Sequence, residues 1–172
     1  MSTQSRRTRG RRGSSILEFV LVGIPVIFVL ISLFEISRGM WTYHTLAYAA
    51  REGVRYASVH GKGCASPNTC QVTIGQITSK IQAAGVGLPP GTTTVTFTPS
   101  SGTASSDTMT NQLASSTIWP PSGANAPGQD VKIKVTYPFR TILAIFWVGA
   151  GRPLNDSGTF NLAASSTEPI QF

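Results

Sequence analysis

Charged residues are scarce in this sequence, and the motifs of common catalytic sites are missing. Only 14 Lys and Arg and 7 Asp and Glu occur among 172 residues, which makes 12% charged residues. The two histidines, His44 and His60, have no evident acid or nucleophile partner for catalysis. The motifs G-x-S-x-G and H-E-x-x-H, the phosphate-binding loop and the dinucleotide fingerprint are all absent. We therefore expect a protein that is not an enzyme and holds no cofactor. Low charge with many Ser, Thr and Gly residues favours an envelope or extracellular protein.

Acidic residues are absent from the N-terminal tail, which carries much of the positive charge. Five of the 14 basic residues lie in the first twelve positions: Arg6, Arg7, Arg9, Arg11 and Arg12. Without them, nine basic and seven acidic residues remain, so the fold itself is close to neutral. The tail lacks interleaved aromatic residues, and no nucleic-acid partner is therefore predicted.

One long apolar run follows the tail. Residues 16–34 contain a single formal charge, Glu18. A helix of this length spans about 28 Å, close to the hydrocarbon core of a bilayer. The run is too long for an ordinary secretory signal, and no A-x-A cleavage site follows it. It predicts a retained single-pass transmembrane helix. The basic flank places the N-terminus in the cytoplasm and the rest of the chain outside.

The helical pattern continues beyond the apolar run. A stripe of mostly apolar residues recurs at alternating spacings of four and three: Ile36, Met40, Tyr43, Ala47, Ala50, Val54 and Ala57. We expect one continuous helix from about residue 14 to 59, roughly 70 Å long. Gly61 and Gly63 then end it. Small residues in the second half of the stripe allow another helix to approach closely.

Residues 61–172 are expected to form a small extracytoplasmic α+β domain with a short antiparallel sheet. Residues 72–84 predict a short amphipathic helix. Alternating apolar and polar residues predict strands at 92–99 and 130–139, and residues 158–172 are expected to form a final strand. Residues 100–128 are rich in Ser, Thr, Gly, Pro and Asn and predict a long flexible loop.

The two cysteines, Cys64 and Cys70, lie on the predicted outer side of the membrane. Such a compartment is oxidising, and the pair can close a small disulfide loop. The loop entropy of so short a ring stabilises by roughly 2 kcal/mol. Two free thiols are the alternative. A metal site is less favoured, because a second ligand pair is missing and His60 alone is not enough.

Glu18 is costly in an apolar helix unless it has a partner. Cleavage after Gly13 would leave Ser14 with a free amine, and Glu18 would become the fifth residue of the mature chain. An unpaired charge at the bilayer centre costs roughly 2.5 to 3.5 kcal/mol on insertion scales. If the amine of one subunit pairs with the carboxylate of the next, that cost is offset. The pairing requires one particular axial offset between the two helices. Glu18 would then set the register between subunits.

The stretch "G-SSILEF" resembles the class III signal peptide of type IV pilins and pseudopilins. The matching positions are Gly13, Ser14, Glu18 and Phe19. In that family a prepilin peptidase cuts after the glycine, on the cytoplasmic side. The resemblance therefore implies a leader peptide over residues 1–13 and a pilin-like helix over 14–60.

The resemblance narrows to TadE-like pseudopilins of the tight-adherence (Tad/Flp) type IVb pilus and secretion system. It covers roughly residues 11–60 and a short piece near 131–139. Beyond the Glu-Phe pair it includes Pro25 and the block "AAREGVRYA", at Ala50, Arg51, Glu52, Gly53, Arg55, Tyr56 and Ala57. Val54 stands where the family usually has alanine. The chain is too long for the major Flp pilin, so the resemblance implies a minor pseudopilin that assists pilus assembly.

Family resemblance also implies partners and a location. The expected partners are other pilins and minor pseudopilins, the prepilin peptidase, the inner-membrane pilus assembly platform and the lipid bilayer. The expected location is the bacterial inner membrane, and from there an extracellular pilus. In this context the "AAREGVRYA" block is a candidate helix interface. On their own, Arg51, Glu52 and Arg55 equally suit a solvated helix face.

Two other functions are compatible with the same residues. One is an uncleaved single-pass membrane protein whose outer domain binds a ligand or a surface. The other is a secreted enzyme or binding protein released by an ordinary signal peptidase. The first predicts a full-length chain in the membrane, and the second predicts a soluble product that begins well beyond residue 34.

Overall fold

The computed structural model describes residues 12–63, 71–142 and 159–171 of the chain. Cys64 and Cys70 lie outside the described residues, so their disulfide stays a prediction. The leader predicted over residues 1–13 falls almost entirely outside them as well.

A single helix, α1 (Arg12–Ser58), makes up the N-terminal part and contains 47 residues. It agrees with the continuous helix predicted over 14–59. Pro25 lies inside α1. Because proline has no amide hydrogen, the Leu21 carbonyl loses its usual helical partner. The helix nevertheless continues on both sides of Pro25.

Two further helices and four strands follow in the described chain: α2 (Ile74–Ala84), β1 (Thr94–Thr98), β2 (Ser105–Thr108), α3 (Met109–Leu113), β3 (Asp130–Arg140) and β4 (Thr159–Pro169). The strands form one antiparallel sheet in the order β2-β1-β3-β4. This arrangement confirms the predicted α+β class, with a long N-terminal helix followed by a small domain.

Helix α2 begins with a capping box. The Thr73 hydroxyl accepts a hydrogen bond from the Gln76 amide at 3.2 Å, and the Gln76 side chain accepts one from the Thr73 amide at 3.0 Å. Two amides that the helix itself cannot satisfy thus gain partners. One face of α2, with Ile74, Ile77 and Ile81, is buried.

Strand β3 shows why only one face of the sheet carries the core. Val131, Ile133 and Val135 are fully buried, whereas Lys132 and Lys134 between them are exposed. Successive side chains of a strand point to opposite faces, so the apolar set lies on one side and the lysines on the other. The strand predicted over 130–139 is confirmed.

Helices α1 and α2 cover the apolar face of the sheet. The second half of α1 contributes small and aliphatic residues to this core: Leu46, Ala49, Ala50, Val54 and Ala57. Phe97 of β1 is also fully buried, and its ring meets the ring of Trp119 edge-on at 5.2 Å. The core therefore lies between the sheet and one half of the long helix.

The irregular loop predicted over 100–128 is wrong at residues 105–113, which form β2 and α3. Strand β2 reads Ser-Ser-Asp-Thr, so it has no apolar alternation to recognise. It forms because its backbone pairs with β1 and because the Ser106 and Thr96 hydroxyls lie 2.8 Å apart. Thr108 then caps α3, whose Met109 is fully buried.

Candidate functional site

No other part of the described chain covers the first half of α1. Its large apolar side chains are exposed, from Ile16 to Phe34, and Phe19 reaches 78% exposure. The apolar window of this helix has none of its residues buried. Within the part of the chain that the structure describes, one helix is long and apolar enough to cross a membrane, and it is α1. This surface needs a bilayer or a protein neighbour to cover it.

The residues of the predicted processing and register site lie at the start of α1. Gly13 and Ser14 belong to its first turn, and Glu18 and Phe19 follow on the exposed surface. Ser14 and Glu18 are four residues apart and therefore share one face of the helix. The Glu18 side chain is exposed and is not covered by the rest of the described chain.

The small residues of the "AAREGVRYA" block pack inside the chain's own domain. Ala50 and Ala57 are fully buried, and Gly53 is buried against α2. A Cβ at Gly53 would lie 2.5 Å from Cγ1 of Ile81, closer than side chains can approach. The close helix approach that small residues predicted therefore occurs between α1 and α2.

The charged residues of the same block lie on the opposite side of α1. Arg51 and Arg55 are exposed, and Glu52 and Tyr56 are half-buried. The Tyr56 ring lies 4.6 Å from the His60 ring, and the Lys80 ammonium is 5.4 Å from the Tyr56 ring. Arg51, Glu52 and Arg55 form the solvent-facing part of the block, whereas Tyr56 packs against the domain core.

A polar junction between α1 and the sheet was missed by the sequence reasoning. Glu35 is buried, and its Oε2 accepts hydrogen bonds from Arg38 Nη2 at 3.2 Å and from the Ile142 amide at 3.1 Å. Arg38 Nη2 also donates to the Arg140 carbonyl, and the Arg38 guanidinium lies 4.5 Å from the centre of the Phe139 ring. The junction joins the end of the apolar run to the end of β3.

The spacing of Glu35 and Arg38 was the only sequence signal for this junction. Residues three apart on a helix can pair, but such pairs are common on solvated surfaces. The partners at the end of β3 and just beyond it, Arg140 and Ile142, lie about a hundred residues away along the chain. Nothing in the local pattern indicates that Glu35 is buried.

A cavity of about 500 Å³ opens beside the junction. Its walls are mostly apolar and come from α1, the end of β3 and the start of β4: Ile36, Met40, Tyr43, Phe139, Phe160 and Leu162. Glu35 also lines it, and its Oε1 is buried without a hydrogen-bond partner among the described residues.

Asp107, at the end of β2, has a perturbed acidity. A hydrogen bond from the Asn111 side chain, followed in importance by one from the Thr108 amide, lowers the pKa of its carboxyl below 3.8. Both donors stabilise the charged form. These two hydrogen bonds close the turn from β2 into α3, so we assign Asp107 to folding.

The described residues contain no group of three His, Cys, Asp or Glu side chains that could hold a metal ion. The groups available for binding are instead on the exposed surface of α1. An uncovered apolar helix carries one carboxylate near its start, and a charged face continues on its far half.

Comparison with known proteins finds a match in the N-terminal part of the chain alone. No curated protein and no solved structure matches this sequence. A family model does match, and its span contains the predicted cleavage position, Glu18, the apolar run and most of the "AAREGVRYA" block. Over residues 13–55 the chain matches the TadE-like protein family, and its N-terminal helix is the TadE-like part of the molecule.

Proposed function

We propose that this protein is a minor pseudopilin that assists assembly of a Tad/Flp-type pilus. The observation that carries the proposal is the uncovered half of α1. It lies within the TadE-like match, exposes a continuous apolar surface and bears a single carboxylate, Glu18. A helix that only anchored the chain would gain nothing from that carboxylate, since an unpaired acid opposes insertion.

The proposed processing step is cleavage after Gly13 by a prepilin peptidase. It removes the five arginines of the tail together with Gly13. The new amine at Ser14 then lies one helical turn from Glu18 of its own chain and can reach Glu18 of a neighbour. Pairing between chains neutralises both charges in an apolar surrounding. It requires one particular axial offset between neighbouring helices.

The exposed charged face of α1 is the proposed second contact. Arg51 and Arg55 project from the half of the helix that the domain holds in place. They can meet acidic groups of other pilins or of the inner-membrane assembly platform. The domain is proposed to lie outside the inner membrane, because the basic tail keeps the N-terminus in the cytoplasm.

The deciding experiment measures the N-terminus and intact mass of the membrane-associated protein, with and without its prepilin peptidase. We expect a chain that begins at Ser14 and that is lost when the peptidase is absent. A bulky residue at Gly13 should block the cleavage. A full-length chain in both strains would instead favour the uncleaved membrane-anchored binding protein.

Assembly is tested with Glu18→Gln, which removes the charge and keeps the shape. We expect normal cleavage and membrane insertion but fewer or shorter pili. Ser37→Ala is the matched control, because Ser37 is an exposed polar residue of the same helix that bonds only its own Leu33 carbonyl among described contacts. Normal pilus number and length with Glu18→Gln would refute the register role.

A further inference from the structure

A second groove lies at the junction, on the side away from the apolar cavity. We call it the arginine groove; it has a volume of about 250 Å³. The residues that matter for its chemistry are Arg38, Trp41, Val86, Gly87, Tyr137 and Arg140. They come from α1, from the turn after α2 and from the end of β3.

The groove lies at the depth of lipid headgroups if α1 spans a membrane over 16–34. Arg38 is four residues beyond Phe34, which places it about 6 Å outside the apolar run. A bilayer adds a polar layer of roughly 5 to 8 Å on each side of its hydrocarbon core. The Arg38 guanidinium therefore falls in the layer that contains the lipid phosphates.

The charge of the groove is positive. Two guanidinium groups line it, and its described lining includes no carboxylate. Glu35 neutralises part of the Arg38 charge through Nη2. The Arg38 Nε is buried without a partner among the described residues, and the Arg140 side chain is exposed. The exposed Arg140 guanidinium thus remains for an anion, and the partly exposed Arg38 adds positive charge beside it.

The rim of the groove is apolar where a soluble domain would be polar. Outside α1, the described chain has three exposed large apolar side chains, and two of them, Val86 and Ile142, lie beside the junction. Trp41 is 62% exposed next to them. Indole rings favour the membrane–water interface, because they are apolar with one polar group.

Gly87 gives the turn after α2 a backbone conformation that other residues rarely adopt. Its φ is +85°, a conformation that suits glycine, and a Cβ there would lie 3.5 Å from the indole ring. The turn brings Val86 to the same end of the domain as Trp41 and Arg140. Helix α1, the turn after α2 and the end of β3 therefore place apolar and cationic groups at the same depth relative to the membrane.

From this arrangement we propose that the arginine groove binds the phosphodiester of an anionic glycerophospholipid headgroup. The phosphate oxygens accept hydrogen bonds from the exposed Arg140 guanidinium, and the positive charge of Arg38 attracts the same phosphate. The acyl chains run along the apolar surface of α1. A lipid with a net negative charge is preferred over a zwitterionic one, because no carboxylate in the groove meets a headgroup ammonium. The inference requires that α1 spans a bilayer and is independent of pilus assembly.

The test uses the full chain in nanodiscs that contain equal amounts of phosphatidylglycerol and phosphatidylcholine. Native mass spectrometry of the released protein reports which lipids stay bound. We expect phosphatidylglycerol to be enriched, and Arg140→Gln to reduce that enrichment by about fivefold, the effect of one basic residue at an anionic surface. Arg140→Lys should retain most of it.

Lys132→Gln is the matched control, because Lys132 is an exposed cation of the same strand, eight residues from Arg140. It should behave like the unchanged protein. Val86→Asp provides a second variant that repels anionic headgroups, in case Arg140→Gln does not fold. Addition of millimolar inorganic phosphate separates a lipid site from a site for free phosphate.

Loss of the enrichment in Arg140→Gln and Val86→Asp, with Lys132→Gln unchanged, supports the proposal. Three results would overturn it. They are equal retention of both lipids by the unchanged protein, full enrichment in Arg140→Gln, and displacement of phosphatidylglycerol by inorganic phosphate.

Discussion

Replacement of Gly53 by alanine tests the close packing of α1 on α2. The new Cβ would lie 2.5 Å from Cγ1 and 2.8 Å from Cδ1 of Ile81, and 3.4 Å from Cδ1 of Ile133. Both isoleucines are fully buried, so Ile81 has little free space to enter. Overpacking of this kind costs about 1 to 3 kcal/mol. We therefore expect Gly53→Ala to strain the core.

The same change also favours the helix, and this gain must be separated from the strain. Alanine is about 1 kcal/mol better than glycine inside a helix. The expected net effect is a loss of about 1 kcal/mol in the free energy of unfolding. Gly39→Ala in the same helix is the control, because its Cβ would meet Phe139 at an ordinary 3.8 Å.

The measured quantity is the difference between the two variants, in which the helix-propensity gain cancels. We expect Gly53→Ala to be less stable than Gly39→Ala by about 2 kcal/mol. Urea unfolding in detergent micelles, followed by tryptophan fluorescence, measures it, since Trp119 is buried in the core. Equal unfolding midpoints would show that Ile81 yields easily and that the close approach does not require glycine.

A double-mutant cycle with Ile81→Ala tests the assigned contact directly. Ile81→Ala alone should cost about 2 to 5 kcal/mol, because it leaves a cavity in the core. In that background Gly53→Ala should become neutral or stabilising, since its methyl group enters the space that Ile81 left. Additive effects would mean that the strain at Gly53 comes from another neighbour.

Three further substitutions probe the domain and the junction. Thr73→Ala removes the cap of α2 and should cost about 1 kcal/mol of stability, measured by urea unfolding. Glu35→Ala leaves Arg38 and the Ile142 amide without their shared acceptor, and a loss of about 1 to 3 kcal/mol is expected; an unchanged midpoint would show that the junction is not a stabilising contact. Asp107→Asn tests a pH dependence. The folded pKa of Asp107 is lowered, so its stabilising contribution is present above pH 3.8 and is lost as the pH falls through the folded value. Acid unfolding curves of the unchanged protein and of Asp107→Asn should therefore converge at low pH and differ above it.

Periodicity was sufficient to predict the second half of α1, α2, β1 and β3, because each buries one regular face. Strand β2 has no such face, and its formation depends on hydrogen bonds to β1. The burial of Glu35 depends on where β3 ends. The sequence around Glu35 gives no information on that position. Local patterns therefore predicted the elements, whereas contacts between distant elements determined which polar groups are buried.

The structure divides α1 at Glu35 into two parts with different neighbours. Before Glu35 the helix is uncovered, and a change such as Glu18→Gln should alter association between chains without altering the domain. After Glu35 the small residues face the chain's own core, so Gly53→Ala should act first on folding. The glycine of the "AAREGVRYA" block is thus explained by packing within one chain. An intersubunit role for the block rests on its exposed side, chiefly Arg51 and Arg55. We expect Gly53→Ala to impair pilus formation only when it also destabilises the domain. Arg51→Gln should impair pilus formation while the domain stays folded. These two results together would show that the two roles of this helix are separate.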